Sequence, residues 1–399
     1  SRWLPLMIAA GGFYLLLLVL ISQKSMVNLS RQVAGRQQLK SEYDYTSKRI
    51  DKTPFAFLFN SSQYPPFWAT DVLTHDGIAS FEERMSADVD LSARKRLIVS
   101  WDVGHDPDNL GGCPDWHCEF STDQERADEA DVILTSSTYY ARKRPEQIIA
   151  FFSQESPVHT GVGHVSDGYF NVSLGYRHDT AGASPYGYTV KLRDRRQLDK
   201  VVNIPRLHSK SKAAAWFVSH CWTVSLREDL VKKLKEYIEV DIYGSCHGGA
   251  QCSRNGPCEE MLDTHYHFYM ALENSVCTDY ITEKAWSQGY TRDIVPIVLK
   301  RSIVENRLPP NSFIAIDDFD TVQDLADRMA YLMGNKTAYL LQLSIISREY
   351  FSWREEYQTV FLNGATHDVV ERPWGFCQLC RLAWEKDNKQ RFIQDFNKW

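Results

Sequence analysis

The stretch from Tyr266 to Leu299, YHFYMALENSVCTDYITEKAWSQGYTRDIVPIVL, decides how the rest of the chain is interpreted. It contains an aromatic and apolar run of strand length at 266–272, and a second apolar run at 294–299. Between them, Thr282 is a typical N-cap for a short helix that ends near Gly289. The order strand, helix, strand predicts a βαβ unit of a parallel sheet.

Polar residues follow the first of these two strands. Ligands of parallel sheets bind beyond the carboxyl ends of the strands, so Asn274, Tyr280, Glu283 and Lys284 are candidate ligand contacts. A helix N-terminus favours an anion such as phosphate, and Lys284 adds a positive charge. Glu283 can accept two hydrogen bonds from a sugar diol. For Asn274, a structural role in the turn is the alternative.

Further strands and helices are predicted along the chain from apolar runs and helical spacing. The predicted strands are 55–59, 97–101, 132–135, 148–153, 213–218 and 240–243, and the predicted helices are 226–240, 325–332 and 339–350. This alternation of strands and helices predicts two consecutive α/β domains with a cleft between them.

The opening stretch resembles the signature of the α-1,3/4-fucosyltransferases, in the pattern FYMALENS…DYITEKAW…VPIVL. The similarity continues in five further segments, which are 155–157, 170–187, 215–244, 309–314 and 317–319. The cysteine clusters at 113–118 and 246–258 are more similar to invertebrate, core-type members than to vertebrate Lewis-type members.

The resemblance implies an α/β fold of GT-B architecture, in which two Rossmann-like domains face a cleft. It implies an inverting glycosyltransferase that moves L-fucose from GDP-β-L-fucose to the 3-hydroxyl of a GlcNAc in N-glycans. The Asn-linked core GlcNAc is favoured over a lactosamine, Lewis-type GlcNAc. The expected partners are GDP-fucose as donor substrate and an N-glycan or glycoprotein acceptor. No cofactor is required, and a divalent cation is at most stimulatory.

Site residues also follow from the resemblance. Inversion needs one displacement with a base for the acceptor hydroxyl, and Glu155 matches the presumed base. The matches on the GDP-fucose side are Arg227, Asn274, Tyr280, Glu283 and Lys284. Of these, Arg227 and Lys284 would contact the diphosphate. Asn274 and Tyr280 would reach phosphate oxygens, and Glu283 the ribose hydroxyls.

A second family motif carries Tyr176, Arg177 and Asp179. These residues would line the cleft from the acceptor side, or would lock a loop by a salt bridge.

The N-terminus predicts a membrane anchor. Trp3–Ile21 is apolar and uncharged, and is long enough to cross a hydrocarbon core of ~30 Å as a helix. A cleavable signal peptide is the alternative, but Ile21-Ser22-Gln23 is a poor cleavage site. The nine cysteines and the N-x-S/T sequons favour a lumenal catalytic domain. With the resemblance, the prediction is a single-pass type II Golgi membrane protein. A net charge of −6 argues against a general nucleic-acid binder.

Five regions are therefore predicted. They are a cytoplasmic and transmembrane segment at 1–22, a stem at 23–53, an acceptor-side Rossmann-like domain at 54–205, a GDP-fucose-binding Rossmann-like domain at 206–365, and a tail with a Cys-x-x-Cys motif at 366–399.

A lumenal location favours disulfides and N-linked glycans. The disulfide candidates are Cys113, Cys118, Cys246, Cys252, Cys258, Cys277, Cys377 and Cys380, which leaves Cys221 as the free thiol. The alternative for Cys377 and Cys380 is a zinc site, but one C-x-x-C alone is a weak signal, so no metal site is predicted. The glycosylation candidates in the catalytic region are Asn60, Asn171 and Asn335.

Two other functional classes remain open at this point. A metal-dependent GT-A glycosyltransferase would use an Asp-x-Asp motif, and 88–90 and 318–320 fit that spelling. Full loss of activity in EDTA would favour it. A non-catalytic, membrane-tethered glycan-binding domain would fail to bind GDP.

Overall fold

The computed structural model describes residues 55–73, 79–103, 107–246, 252, 256–340, 350–362, 367–385, 393 and 396. The predicted anchor and stem, at 1–53, lie outside the described residues. Within the described ranges, no helix is both long and apolar enough to cross a bilayer.

The strands are β1 (Phe57–Phe59), β2 (Phe67–Val72), β3 (Arg96–Ser100), β4 (Cys118–Ser121), β5 (Val132–Thr135), β6 (Ile148–Ser153), β7 (Val172–Gly175), β8 (Gly187–Leu192), β9 (Lys212–Phe217), β10 (Val240–Tyr243), β11 (Tyr266–Met270), β12 (Val295–Val298), β13 (Ile314–Ala315) and β14 (Tyr357–Phe361). The α-helices are α1 (Phe81–Arg84), α2 (Leu198–Val201), α3 (Ile204–Ser209), α4 (Arg227–Leu234), α5 (Met261–Thr264), α6 (Arg301–Val304), α7 (Val322–Gly334), α8 (Lys336–Leu340), α9 (Trp353–Glu356) and α10 (Phe376–Trp384).

Two parallel sheets form the α/β part of the molecule. The first has the strand order β4-β3-β5-β6-β7 and the second has the order β10-β9-β11-β12-β13. In each sheet the first strand in the chain has the second strand on one side and the third on the other. Ligands of such sheets bind where the strand order reverses, beyond the carboxyl ends.

The central strands of both sheets, such as β5, β6, β11 and β12, are almost continuously buried, because helices and loops cover both faces, whereas the edge strands β4 and β10 are mostly half-buried. A strand that is covered on both faces is a short run of consecutive apolar residues, and such runs can be recognised in the sequence. The predicted strands 132–135, 148–153 and 240–243 are confirmed residue for residue, and 266–272 and 294–299 are confirmed with shorter ends as β11 and β12. β11 pairs in parallel with β12, so the predicted strand pair is confirmed.

The connection between β11 and β12 differs from the predicted α-helix. It contains a six-residue π-helix, Lys284–Gly289, and its N-cap is Glu283. Thr282, the predicted N-cap, lies one residue earlier: its hydroxyl donates to the Glu273 carboxylate at 2.9 Å, and its oxygen accepts from the Lys284 amide at 3.5 Å. The predicted end at Gly289 is confirmed.

A third sheet, antiparallel, has the order β1-β2-β8-β14 and was not predicted. The strand predicted at 55–59 belongs to it as β1, rather than to a parallel sheet. The predicted helix 226–240 ends earlier, as α4 at Leu234. The helix predicted at 339–350 lies mostly outside the described residues, which include only α8 at its start.

Helix α10 is joined to the first sheet by two disulfides. Cys377 bonds Cys113, and Cys380 bonds Cys118 at the start of β4. Neither thiol of the C-x-x-C motif is therefore available to a zinc ion.

The remaining cysteines correct two predictions. Cys221 is not free but bonds Cys246, and Cys252 bonds Cys258. The free thiol is Cys277, a predicted disulfide candidate.

The three glycosylation candidates differ in exposure. Asn60 is exposed and Asn335 is half-buried. Asn171 is only 8% exposed, and its Oδ1 accepts from the Ile149 amide at 2.8 Å, so the structure argues against a glycan there.

Candidate active site

A cavity of about 350 Å³ lies at the carboxyl ends of β9, β10 and β11, where the order of the second sheet reverses. Ser219 follows β9, Gly244 follows β10 and Asn274 follows β11, and all three line it. Gly244 has φ +108°, and a Cβ there would collide with the Val218 carbonyl oxygen. Only glycine therefore allows β10 to turn at the cavity wall.

Four of the six predicted catalytic and donor-side residues are expected at the carboxyl end of one strand, and the other two, Arg227 and Glu155, are expected from the resemblance alone. The cavity is lined by Glu155, Arg227, Asn274, Tyr280, Glu283 and Lys284. The structure thus brings all six together.

Lys284 is held by two carboxylates. Its Nζ lies 3.1 Å from Glu273 Oε2 and 3.3 Å from Glu283 Oε1, and it donates to Thr282 Oγ1 at 2.9 Å. Burial lowers the pKa of Lys284, but Glu273 and Glu283 more than offset this, so its pKa lies above the ordinary value. The ammonium is therefore charged at neutral pH.

Glu273 was missed by sequence reasoning, which took it only for a turn former. It is 8% exposed, and its carboxylate accepts from the Thr282 amide at 2.7 Å as well as from Lys284. Burial raises the pKa of Glu273, against the opposing effects of Lys284 and of the Thr282 bonds. The sequence did contain a signal for Glu273, because it places a carboxylate between two apolar segments. Burying a charged carboxylate costs free energy unless a cation or hydrogen-bond donors pair with it.

Arg227 begins helix α4 and is 2% exposed. Its Nε donates to Glu228 at 3.2 Å, and its two terminal nitrogens donate to the Leu272 and His220 carbonyls at 2.6 and 2.7 Å. A guanidinium has five N–H groups, and the described residues accept hydrogen bonds from three of them. One N–H group on each terminal nitrogen therefore remains for a ligand. The fixed orientation suits bidentate contact with an oxyanion.

Glu155 reaches the cavity from the first sheet, two residues beyond β6. Tyr280 donates its hydroxyl to Glu155 Oε2 at 3.0 Å, and the Ser156 hydroxyl donates to Ser275 at 2.8 Å. Burial, together with the Glu273 and Glu155 carboxylates, raises the pKa of Tyr280 far above its ordinary value. The Tyr280 hydroxyl therefore stays protonated and orients the exposed carboxylate.

Asn274 carries a buried carboxamide oxygen, Oδ1, for which the described residues offer no hydrogen-bond donor. The residue is 9% exposed. Buried polar atoms are nearly always paired, so this unpaired oxygen keeps Asn274, a residue of the cavity lining, a candidate ligand contact.

The acceptor-side candidates lie apart from this cavity. Arg177 and Asp179 form an ion pair with an Nε–Oδ1 distance of 2.8 Å, which is the loop-locking alternative. Tyr176 is buried and packs its ring against Tyr280 at 4.8 Å. None of the three is among the residues that line the cavity.

The two Asp-x-Asp motifs, at 88–90 and 318–320, do not line the cavity either. Asp318 is bonded to Arg301 Nε at 2.6 Å, and Asp90 accepts from Ser92 at 2.6 Å. Neither motif contributes a lining residue.

The chain was compared with known proteins. A family model described as "Fucosyltransferase, N-terminal" matches residues 93–187, and one described as "Glycosyltransferase family 10 (fucosyltransferase) C-term" matches residues 207–399. The chain is 45% identical to alpha-(1,3)-fucosyltransferase fut-1 of Caenorhabditis elegans, with 100% of this chain and 94% of that protein aligned. It is 31% identical to alpha-(1,3)-fucosyltransferase C of Drosophila melanogaster, over 76% of this chain and 74% of the other.

Solved structures were compared as well. A crystal structure of an alpha1,3-fucosyltransferase superimposes with a TM-score of 0.47 and 14% identity, over 77% of this chain and 96% of that one.

Proposed function

Because this chain belongs to the fucosyltransferases of glycosyltransferase family 10, we propose that it transfers fucose from GDP-fucose to the 3-hydroxyl of a GlcNAc in N-glycans. It is a glycosyltransferase of the α-1,3-fucosyltransferase type. The proposed acceptor is the Asn-linked core GlcNAc, with a lactosamine GlcNAc next.

The proposed reaction is one inverting displacement. The acceptor oxygen attacks the anomeric carbon of fucose, the bond from that carbon to the β-phosphate oxygen breaks, and GDP leaves. The β-linked donor thereby gives an α-linked product. The acceptor hydroxyl loses its proton to a base, and the leaving diphosphate needs positive charge.

One observation carries the proposal. The same cavity is lined by a carboxylate of the first sheet, Glu155, and by two cations of the second sheet, Arg227 and Lys284. The cavity thereby offers a carboxylate for the acceptor hydroxyl and cations for the leaving diphosphate, which are the two kinds of group that the displacement requires.

The donor contacts follow from the partners found in the cavity. In the proposal, the two remaining N–H groups of Arg227 donate to the diphosphate. Lys284 Nζ leaves the Glu283 carboxylate and donates to a phosphate oxygen instead. The released Glu283 then accepts from the ribose hydroxyls, and Asn274 Oδ1 accepts from a hydroxyl or amino group of GDP-fucose. Tyr280, sequence-predicted as a phosphate contact, is assigned instead to orienting Glu155, with which it already shares a hydrogen bond.

The GT-B arrangement and the cellular location are part of the same proposal. The two parallel sheets with equivalent strand orders support two Rossmann-like halves, with the division near 205. The four disulfides support an oxidising, lumenal compartment. We therefore propose a type II Golgi membrane enzyme anchored by 1–22.

Glu155→Gln tests the proposal, because glutamine keeps the size and the bond from Tyr280 but accepts no proton. Turnover should fall by roughly 10²–10⁴-fold, the usual contribution of a general base. GDP affinity, measured by calorimetry, should barely change. Glu236→Gln, on an exposed glutamate outside the cavity, is the matched control. Near-normal turnover in Glu155→Gln would remove Glu155 as the base, and absence of fucosylated product from the unaltered protein would remove the function itself.

A further inference from the structure

The diphosphate and the ribose of the donor have proposed contacts, whereas its base still lacks a side chain that would select it. Glu283, the proposed ribose contact, lies 3.3 Å from Lys284. Burial raises the pKa of Tyr269 well above its ordinary value, and the nearby carboxylates of Glu283 and Glu259 add to the rise. All four residues line the donor cavity. Glu259 therefore lies near the proposed ribose contact, where the base of a bound nucleotide is held.

Three aromatic side chains, Phe217, Tyr243 and Tyr269, line the same cavity. The Phe217 ring packs edge-on against Tyr243 at 5.3 Å and against Tyr269 at 5.7 Å, measured between ring centroids. The Tyr243 hydroxyl shares a hydrogen bond of 2.6 Å with Tyr266, which holds its ring in place. Every base has a flat face that stacks on aromatic rings, so this wall favours a nucleobase without selecting one.

Glu259 is a buried carboxylate with one open oxygen. It is 3% exposed, and Arg292 Nη2 donates to its Oε2 at 3.1 Å. Its other oxygen, Oε1, accepts no hydrogen bond from the described residues and retains accessible surface. An ionised carboxylate has about four lone-pair sites and no donor. Glu259 can therefore still accept hydrogen bonds from a ligand in the cavity.

Glu259 is held in position from two sides. It follows Cys258, whose disulfide with Cys252 ties it to another residue of the cavity lining. Arg292 is itself fixed by Asp263, with an Nη1–Oδ2 distance of 3.0 Å. The carboxylate is therefore preorganised, and a ligand does not have to order it.

From this geometry we propose that Glu259 selects guanine, because its carboxylate accepts from N1–H and from the 2-amino group of that base. Guanine is the one common base that presents two adjacent donors on its pairing edge. Adenine and cytosine place an acceptor nitrogen next to their amino group, and uracil sets its N–H between two carbonyl oxygens, so a carboxylate repels each of them. The inference rests on the proposed function, since it names what recognises the base of that function's donor.

Inosine diphosphate tests the proposal, because it differs from GDP only in lacking the 2-amino group. In calorimetry, the unaltered protein should bind GDP roughly 10- to 100-fold more tightly than inosine diphosphate, the effect of one hydrogen bond to a charged group. Glu259→Gln keeps the size of the side chain, but its amide oxygen accepts from Arg292 and its amino group then faces the base. GDP affinity should fall by at least about tenfold, and the preference over inosine diphosphate should disappear. ADP binding should not weaken.

Asp263→Asn is the matched control. Asp263 shares Arg292 with Glu259, but it is not among the described residues that line the cavity, so this variant removes the same kind of ion pair away from the ligand. It should keep the preference of the unaltered protein for GDP, and thermal unfolding checks that both variants are folded. If Glu259→Gln also keeps that preference, Glu259 serves only as a partner of Arg292 and the proposal is wrong.

The proposal and the proposed function fail in different ways. If the unaltered protein transfers no fucose to any glycan, the proposed function fails. If it transfers fucose but binds GDP and inosine diphosphate equally, the 2-amino group has no partner, and the base is recognised elsewhere than at Glu259. That measurement needs no variant, so it decides between the two outcomes even where Glu259→Gln does not fold.

Discussion

The pairing of Lys284 with Glu273 gives the sharpest test of the donor site. Lys284→Met alone removes the proposed phosphate contact, but it also leaves the buried Glu273 carboxylate without its cation. Two effects would then be measured as one. The double variant Lys284→Met/Glu273→Gln removes the cation and the buried charge together, so it separates a phosphate ligand from a structural counterion.

The stability effect follows from burial. Lys284 and Glu273 have side chains that are 18% and 10% exposed, so breaking their pair costs about 3–5 kcal/mol. Glu273 keeps its bonds from Thr282, including one from the amide at 2.7 Å, which favours the low end, about 3 kcal/mol. Burial already raises the pKa of Glu273, and without Lys284 this pKa rises further. Lys284→Met should therefore lose least stability at low pH, where Glu273 is protonated, and most as pH rises and Glu273 must ionise.

The binding effect should not follow stability. One lost charged contact is worth about 1.5–3 kcal/mol, hence roughly 10- to 100-fold in GDP affinity and in transfer rate. Urea unfolding should show that the double variant recovers most of the stability. Calorimetry should show that both variants bind GDP equally weakly, with Glu273→Gln alone near the unaltered protein. Wild-type GDP affinity in the double variant would show that Lys284 serves only to neutralise Glu273.

Three further outcomes are expected. Non-reducing peptide mapping should find the Cys113–Cys377 pair and an alkylating label on Cys277 of the denatured, unreduced protein; a label on Cys377 would contradict the structure. Burial and Asp368 raise the pKa of Glu371 to about 8, so its contribution to stability is present below about pH 4.5 and is lost as pH rises through 8. The stability advantage of Glu371→Gln over the unaltered protein, from urea unfolding at pH 5.5 and 8.5, should therefore widen by at most about 1.4 kcal/mol per pH unit up to pH 8, because the His367 imidazole contacts Glu371 at 3.0 Å and opposes part of the change; a constant difference would contradict the raised pKa. A protein that begins at Lys52 behind a cleavable signal peptide should be secreted and active, because no proposed site residue precedes it; secreted, folded but inactive protein would count against this.

The parallel sheets could be predicted from the sequence because their signal is local. A strand such as Ile148–Ser153, buried over its first four residues, is a short continuous apolar run, whatever its neighbours are. The residues that follow such strands lie at one edge, so the positions of Asn274 and Lys284 in the chain are enough to place them together. Glu155 needed the family resemblance, because a single glutamate in a loop carries no signal of its own.

Long-range partners could not be predicted in this way. β14 pairs with β8, yet Tyr357 and its partner Lys191 are far apart in the chain and share no local pattern. The free cysteine was misassigned for the same reason, since spacing does not reveal which thiols meet. The bond from Tyr280 to Glu155 joins two sheets, so only the fold shows it.

The disulfides of helix α10 constrain the order in which the protein can be completed during synthesis. The chain leaves the ribosome N-terminus first, but Cys113 and Cys118 have no partner until 264 and 262 residues later. Leu379 and Trp384 of the same helix belong to the apolar core of the first sheet, so that core stays open until the last segment emerges. The first parallel sheet, whose strands are all translated by Gly175, is therefore among the last parts to be finished, which reverses the usual N-to-C order of domain folding. A premature stop shortly before Cys377 would consequently damage the opposite end of the chain.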